Sequence, residues 1–178
     1  LPASTIDLTA LNTGGLVTLA NNMSFRNVEH ITLYTSNAST TVLGSMYVEV
    51  VYGSTIGGVG DFFYGGGGDD ILRGGAGDDL IAGGAGNDLL DGQAGTRDLV
   101  SYEDATAGVV VELDVTTAQN TGGGGIDTLA GFEGVIGSNY DDVLHGGANT
   151  TYLYGRGGND TFVTSNGDQV DGGDGIDM

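Results

Sequence analysis

Asp61, Asp70, Asp79 and Asp88 stand nine residues apart, each after a glycine-rich stretch. Their carboxylates, with the backbone carbonyls that glycine leaves uncovered, are hard oxygen donors. Such a set suits Ca²⁺ better than Zn²⁺, and Mg²⁺ demands a tight, hydrated octahedron that a carbonyl cage serves poorly. Other chemistries lack their residues. His30 and His145 are the only histidines, and no HExxH or G-x-S-x-G spacing occurs. Glu103 and Asp104 are adjacent, which does not make the facing carboxylates of a glycosidase. Residues 168–177 are acidic and glycine-rich without EF-hand spacing. Tyr47, Tyr52, Phe62, Phe63 and Tyr64 could form a sugar-binding face, but core packing and edge cover account for them more simply. His145 falls at a solvent-facing position.

The aspartates are held by a repeat of period nine over residues 56–100. Three full copies begin at Gly65, Gly74 and Gly83, with weaker copies from Ile56 and Gly92. Position six carries the four aspartates and then Arg97, and position eight carries Phe63, Leu72, Ile81, Leu90 and Leu99. Each copy reads as a glycine-rich turn followed by a short strand whose position-eight side chain points inward. Glycine at positions one, two and four permits positive φ. One repeat cannot bury its apolar residue, whereas two make an 18-residue coil and stacked coils make a narrow core. Coils stack about 4.8 Å apart. Carboxylates at that spacing repel by roughly 3–4 kcal/mol at an effective dielectric near 20, and a divalent ion between them reverses the sign.

The nonapeptide resembles the repeat-in-toxin (RTX) family pattern, Gly-Gly-x-Gly-x-Asp-x-(apolar)-x. That resemblance implies an all-β fold, a right-handed parallel β-roll (β-solenoid), with several Ca²⁺ ions in its turns. It implies that one turn gives its position-six carboxylate and the carbonyls of positions two and four. The turn one coil later gives its own carboxylate and the carbonyls of positions one and three. Gly66, Gly68 and Asp70 would then share an ion with Gly83, Ala85 and Asp88. Gly57, Val59 and Asp61 would share one with Gly74, Ala76 and Asp79. Gly75, Gly77 and Asp79 would next meet Arg97, where no full-strength ion is expected unless Asp98 turns inward.

After Val100 the alternating valines of residues 101–114 read as strand, residues 116–125 as loop, and residues 122–129 as one lone repeat carrying Asp127. The period resumes at Gly137. Position six then carries Asp142, Thr151 and Asp160, and position eight Leu144, Leu153 and Phe162. Asp142 and Asp160, with Gly155 and Gly157, mark one acidic edge that Asp177 extends. Thr151 and Gln169 leave the other edge degenerate. The expected division is therefore 56–100 and 137–178 as two calcium-bearing blocks, the second cut short, with 101–136 an excursion between them. Residues 1–55 lack the glycine signature but are strand-like. Ser36–Leu43 echoes Gly137–Leu144 with Thr40 and Thr41 at the acid positions. These residues are expected to form metal-free capping coils or a small β-domain, with no ion within residues 1–50.

The totals narrow the function. A net charge of −20 with 36 glycines and no lysine excludes nucleic acid and anionic membrane surfaces as partners. No apolar run is long enough to insert in a membrane, and without cysteine no disulfide staples the fold. Leu1 at the start and a motif interrupted at Met178 suggest a piece of a longer protein. The expected role is a calcium-binding structural module, not itself an enzyme, that folds after export and stabilises a secreted or cell-surface bacterial protein. The resemblance implies the type I secretion apparatus as partner. The sequence names no protein or sugar partner. The alternatives are a module of a secreted protease, lipase or epimerase, or of an adhesin or surface-layer protein. Ice binding wants a flat threonine or asparagine ladder, which the glycine and aspartate turns do not provide.

Overall fold

The computed structural model describes residues 4–7, 17–18, 24–25, 30–35, 39–56, 58–149, 151–165 and 167–178. The described residues contain strands and turns and no helix. Among the described residues no helix is long and apolar enough to cross a membrane.

One parallel sheet of eight strands runs the length of the stack. Its order is β1 (Ser4–Asp7), β5 (Thr40–Ser45), β7 (Phe62–Gly67), β9 (Leu80–Ala85), β11 (Leu99–Ser101), β15 (Gly134–Ile136), β17 (Tyr152–Tyr154) and β19 (Gln169–Asp171). The facing wall is built in two parts. The first comprises β4 (His30–Tyr34), β6 (Val48–Tyr52), β8 (Ile71–Ala76), β10 (Leu89–Ala94) and β14 (Ile126–Ala130), closed by the antiparallel β13 (Gln119–Asn120). The second comprises β12 (Val110–Glu112), β16 (Val143–His145) and β18 (Thr161–Val163). A separate hairpin pairs β2 (Val17–Thr18) with β3 (Ser24–Phe25). Consecutive strands alternate between walls because each coil crosses the core twice, the arrangement of a β-solenoid.

Position eight forms the core. Val42, Phe63, Ile81, Val100, Val135 and Leu153 line one wall, all essentially inaccessible. Val51, Leu72, Leu90 and Leu129, then Val111 and Leu144, line the other. Phe63 pairs with Ile81 and Leu72 with Leu90, each across the expected 18 residues. Strands β4, β5 and β6 stack on this column in parallel, β5 against β7 and β6 against β8.

Three registers differ from the sequence-based frame. Ile81 pairs with Val100, not Leu99, so the repeat from Gly92 holds ten residues and its position six is Asp98. Asp98 is fully buried and Arg97 turns outward, its guanidinium 5.3 Å from the Tyr152 ring centroid. The extra residue lies in the turn, where it is absorbed without shifting the strand's inward face. Val170 pairs with Leu153, which places Asp168 rather than Gln169 at position six. Val42 pairs with Phe63, which places Thr40 there rather than Thr41.

The core is one side chain deep per strand, so single truncations should be expensive. Leu72→Ala should cost about 2–5 kcal/mol. The urea midpoint in saturating calcium should fall accordingly, whereas Ile71→Ala on the outer face should move it little. Equal shifts for the two would mean that position eight does not carry the core.

Candidate metal centre

The position-six acids form three columns. Each carboxylate puts one oxygen on the backbone N–H of the position-six residue one coil earlier. In the first column the donors Glu49, Asp70 and Asp88 bond Oδ1 of Asp70 (2.7 Å), Asp88 (2.8 Å) and Asp127 (3.0 Å). In the second, Thr40, Asp61 and Asp79 bond Oδ1 of Asp61 (2.7 Å), Asp79 (2.6 Å) and Asp98 (2.7 Å). Asp98 N–H then donates to Glu133 Oε2 at 2.9 Å, and Thr151 N–H to Asp168 Oδ1 at 2.9 Å. In the third, Val109, Asp142 and Asp160 donate to Asp142 (2.8 Å), Asp160 (2.9 Å) and Asp177 (3.0 Å).

The second oxygen is the informative one. Oδ2 of Asp70, Asp79, Asp88, Asp98 and Asp160 is buried with no hydrogen-bond partner. These residues expose 2% of their surface or less. An unmet buried carboxylate oxygen is costly. It also points at a definite place. A Cβ built on Gly65 would collide with Asp70 Oδ2 and with the Gly83 carbonyl oxygen of the next coil. The same pair of contacts recurs on Gly74 (Asp79 Oδ2 and Gly92 O) and on Gly155 (Asp160 Oδ2 and Gly172 O). Position one therefore needs glycine for close approach, not for positive φ. Positive φ is found at positions two and four, as at Gly66 (98°) and Gly68 (105°). Gln93 (71°) and Arg156 (75°) adopt it at position two in spite of their side chains, so those turns keep the same shape. Adjacent turns are locked by position-four amides donating to position-three carbonyls, Gly68 to Ala85, Gly77 to Ala94 and Gly158 to Asp174, each at 3.0 Å.

Among the described residues no three acidic or histidine side chains converge as a metal cluster. Any ion in these turns would depend on backbone carbonyls beside one or two carboxylates. The donor set is all oxygen and partly buried, which fits Ca²⁺.

Not every predicted acid is alike. Asp127 joins the first column, but its Oδ2 accepts from Tyr102 OH (3.0 Å) and Thr121 Oγ1 (2.9 Å). Asp142 joins the third, but accepts from Ser138 N–H (2.6 Å) and Ser138 Oγ (2.7 Å). Asp61 accepts Thr35 Oγ1 at 3.2 Å, and Asp177 is exposed. The carbonyl of Val59 faces Gly77. Gly57 lies outside the described residues. Sequence reasoning held Asp98 only as an alternative to Arg97 and missed Asp168, because a one-residue insertion and a one-residue deletion shift the frame, and it missed Glu133, which lies outside the repeat pattern. It also missed Glu49, at position six of an early coil, fully buried and bonded to Ser45 N–H (3.2 Å) and Oγ (2.5 Å). An outer ladder at position five was missed as well. Asn87 bonds Asp69 and Asn159 bonds Asp141, side chain and backbone together. Its signal was visible as a second Asp or Asn before Asp70, Asp79, Asp88, Asp142 and Asp160.

The profile of the RTX calcium-binding nonapeptide repeat matches residues 57–99 and 135–162, in four copies. No curated protein matches the chain. The chain carries RTX repeats folded as a β-solenoid.

Burial raises the proton affinity of four of the column acids. Burial pushes Asp70 up to about 8, with the charges of Glu49, Asp88 and Asp69 adding to it. Burial likewise lifts Asp88 and Asp98 to about 7 and Asp79 to about 6, helped by their acidic neighbours. A carboxylate whose folded pKa lies above its unfolded value stabilises the fold below the unfolded pKa, near 4, and loses that contribution as pH rises through the folded one. The calcium-stripped chain should therefore show more β-structure by circular dichroism at pH 5 than at pH 8. More structure at pH 8 would mean that the columns do not take up protons on folding.

Proposed function

We propose that this RTX-repeat solenoid is a calcium-dependent folding module of an exported bacterial protein, filled and ordered after it leaves the cell. The unpartnered Oδ2 oxygens in turns that also present carbonyl oxygens carry this reading. RTX repeats are typical of secreted bacterial proteins, which supports an extracellular setting and export by a type I apparatus. The chain itself supplies structure rather than catalysis. A larger protein, whether an enzyme or a surface adhesin, would supply any activity.

The ligand assignment follows the turns. Gly66, Gly68 and Asp70 with Gly83, Ala85 and Asp88 form one site. Val59 and Asp61 with Gly74, Ala76 and Asp79 form a second, for which Gly57 is the remaining family ligand. Gly75, Gly77 and Asp79 with Gly92, Ala94 and Asp98 form a third, because Asp98 and not Arg97 stands in register. Asp160 with Gly172 and Asp177 forms another, and Asp142 with Gly155, Gly157 and Asp160 a further one, weakened by Ser138. Asp127 serves the first column as a hydroxyl-capped end.

The physics of export agrees. Cytosolic calcium is too low to fill weak sites, so an acidic chain with a net charge of −20 stays expanded. Millimolar calcium outside the cell fills them, and binding energy becomes folding energy.

In excess chelator at pH 8 the chain should lose most of its β-signal in circular dichroism and regain it with millimolar Ca²⁺. Mg²⁺ at the same concentration should fail, since the carbonyl-rich turns do not close into its small octahedron. Full β-signal in chelator at that pH would sink the proposal. Equal midpoints for the two ions would reduce it to charge screening. Asp79→Ala and Asp98→Ala should each weaken calcium-driven folding by about 1–3 kcal/mol, because each removes half of one shared pair. A loss confined to one of them would show that the pair does not act together.

A further inference from the structure

Glu133 lies outside the residues that match the nonapeptide repeat, in a turn with no glycine-rich signature. It nonetheless stands at position six of the second column. Val135 pairs with Val100 and Gly134 with Leu99, so Glu133 is aligned with Asp98 although 35 residues separate them in the chain. Its turn is short. Strand β14 ends at Ala130 and β15 starts at Gly134, leaving only Gly131, Phe132 and Glu133 between them. Measured between inward residues, Leu129 to Val135 spans six positions, against nine from Leu72 to Ile81 and ten from Leu90 to Val100. In this shortened coil glutamate, one methylene longer than aspartate, makes the bond to the amide one coil below.

The space beneath Glu133 has the features found at the repeat turns. Asp98 is 0% exposed, and its Oδ2 has no hydrogen-bond partner. A Cβ on Gly92 would collide with the Gly131 carbonyl oxygen and meet the Asp98 side chain, Cβ at 2.6 Å and Cγ at 3.0 Å. Gly65, Gly74 and Gly155 also approach a position-six acid and a carbonyl of the next coil, there through the acid's Oδ2, whereas Asp98 turns its carboxylate toward Gly95 of its own longer turn. Gln93, at position two of this turn, takes a φ of 71°, which holds the turn in the shape of its all-glycine counterparts despite the Cβ. A residue held there without glycine is a sign of a backbone fixed by its surroundings.

We propose that Asp98, Glu133 and the Gly131 carbonyl form a calcium site in the excursion between the two repeat blocks, one that the nonapeptide pattern does not encode. It rests on the calcium reading given above and places one further ion. The ion bridges the first repeat block to the strand that opens the second. Its consequence is continuity: the second column runs from Asp61 through Asp79 and Asp98 to Glu133 without a break in its acids.

The test is the number of calcium ions bound per chain, by equilibrium dialysis with metal analysis, on the whole chain at saturating calcium. Wild type establishes whether calcium binds at all, which tests the broader reading separately. Glu133→Gln keeps the length and the amide bond but loses the charge, and should bind one ion fewer. Glu133→Asp keeps the charge but loses the reach, and should also bind one fewer. Asp104→Asn, which alters an exposed acid of the same excursion, should leave the count unchanged. An undiminished count in both Glu133 variants would overturn the site. Should neither variant fold, anomalous scattering from Tb³⁺ in wild-type crystals decides: a peak between Asp98 and Glu133 supports the site, and density at the repeat turns without one there rejects it.

Discussion

A carboxylate that spends one oxygen on a backbone amide and has nothing for the other carries its charge in a dry turn only at a cost. This is the constraint on which the rest of the chain depends. The bond from Asp70 N–H to Asp88 Oδ1 fixes the spacing of one coil on the next. Its geometry forces Oδ2 back toward the glycine that opens the same turn. Each column therefore repeats one arrangement: an amide bond that sets the register and an oxygen that faces the gap between coils. A proton or a divalent cation satisfies that oxygen, and only the cation also draws in the carbonyls opposite.

The glycines and the core follow from the same arrangement. Gly65, Gly74 and Gly83 are required because a side chain would collide with Oδ2 of Asp70, Asp79 and Asp88. Gly66 and Gly68 are required because the backbone must turn through positive φ to aim its carbonyls. With the turn fixed, three residues remain for strand, and only position eight faces inward. A core made of Phe63, Leu72, Ile81 and Leu90 in single file buries little per residue. Against so thin a core the repulsion of stacked acids weighs heavily.

Much of this was legible because period and chemistry coincide. Where the repeat is nine residues long, Phe63, Leu72, Ile81 and Leu90 read directly as core and Asp70, Asp79 and Asp88 as column. The reading faltered where the turn changes length. The turn before β11 gains one residue, so a fixed frame lands on Arg97 and misses Asp98 beside it. The turn before β19 loses one, and the frame lands on Gln169 instead of Asp168. A turn absorbs such changes at little cost, whereas a strand slipped by one residue would turn its core side chain to solvent. The apolar residue at position eight is thus the safer ruler than the glycines. Measured from Val42 and Val51, even the glycine-poor early coils place Thr40 and Glu49 at position six. Tyr102 carried no such signal, since nothing in its neighbours marks it as the partner of an aspartate 25 residues later.

The excursion shows what the fold does when it must change its wall. The sheet from β1 to β19 continues past it, while the facing wall stops at β14 and restarts at β12. Strand β13 runs antiparallel to β14 and occupies the edge where a further parallel strand would add. The acid column on that wall has to end at the same place. Asp127 is its last member, and Tyr102 and Thr121 bring hydroxyls to the oxygen that in Asp70 and Asp88 is left unmet. A Cβ on Gly124 would strike the Tyr102 ring, so the ring fills the turn that an ion and its carbonyl cage would otherwise share. Two hydroxyl donors thus meet the oxygen that stays unpartnered in Asp70 and Asp88. With that oxygen satisfied and the Tyr102 ring filling the turn beyond it, the column stops there.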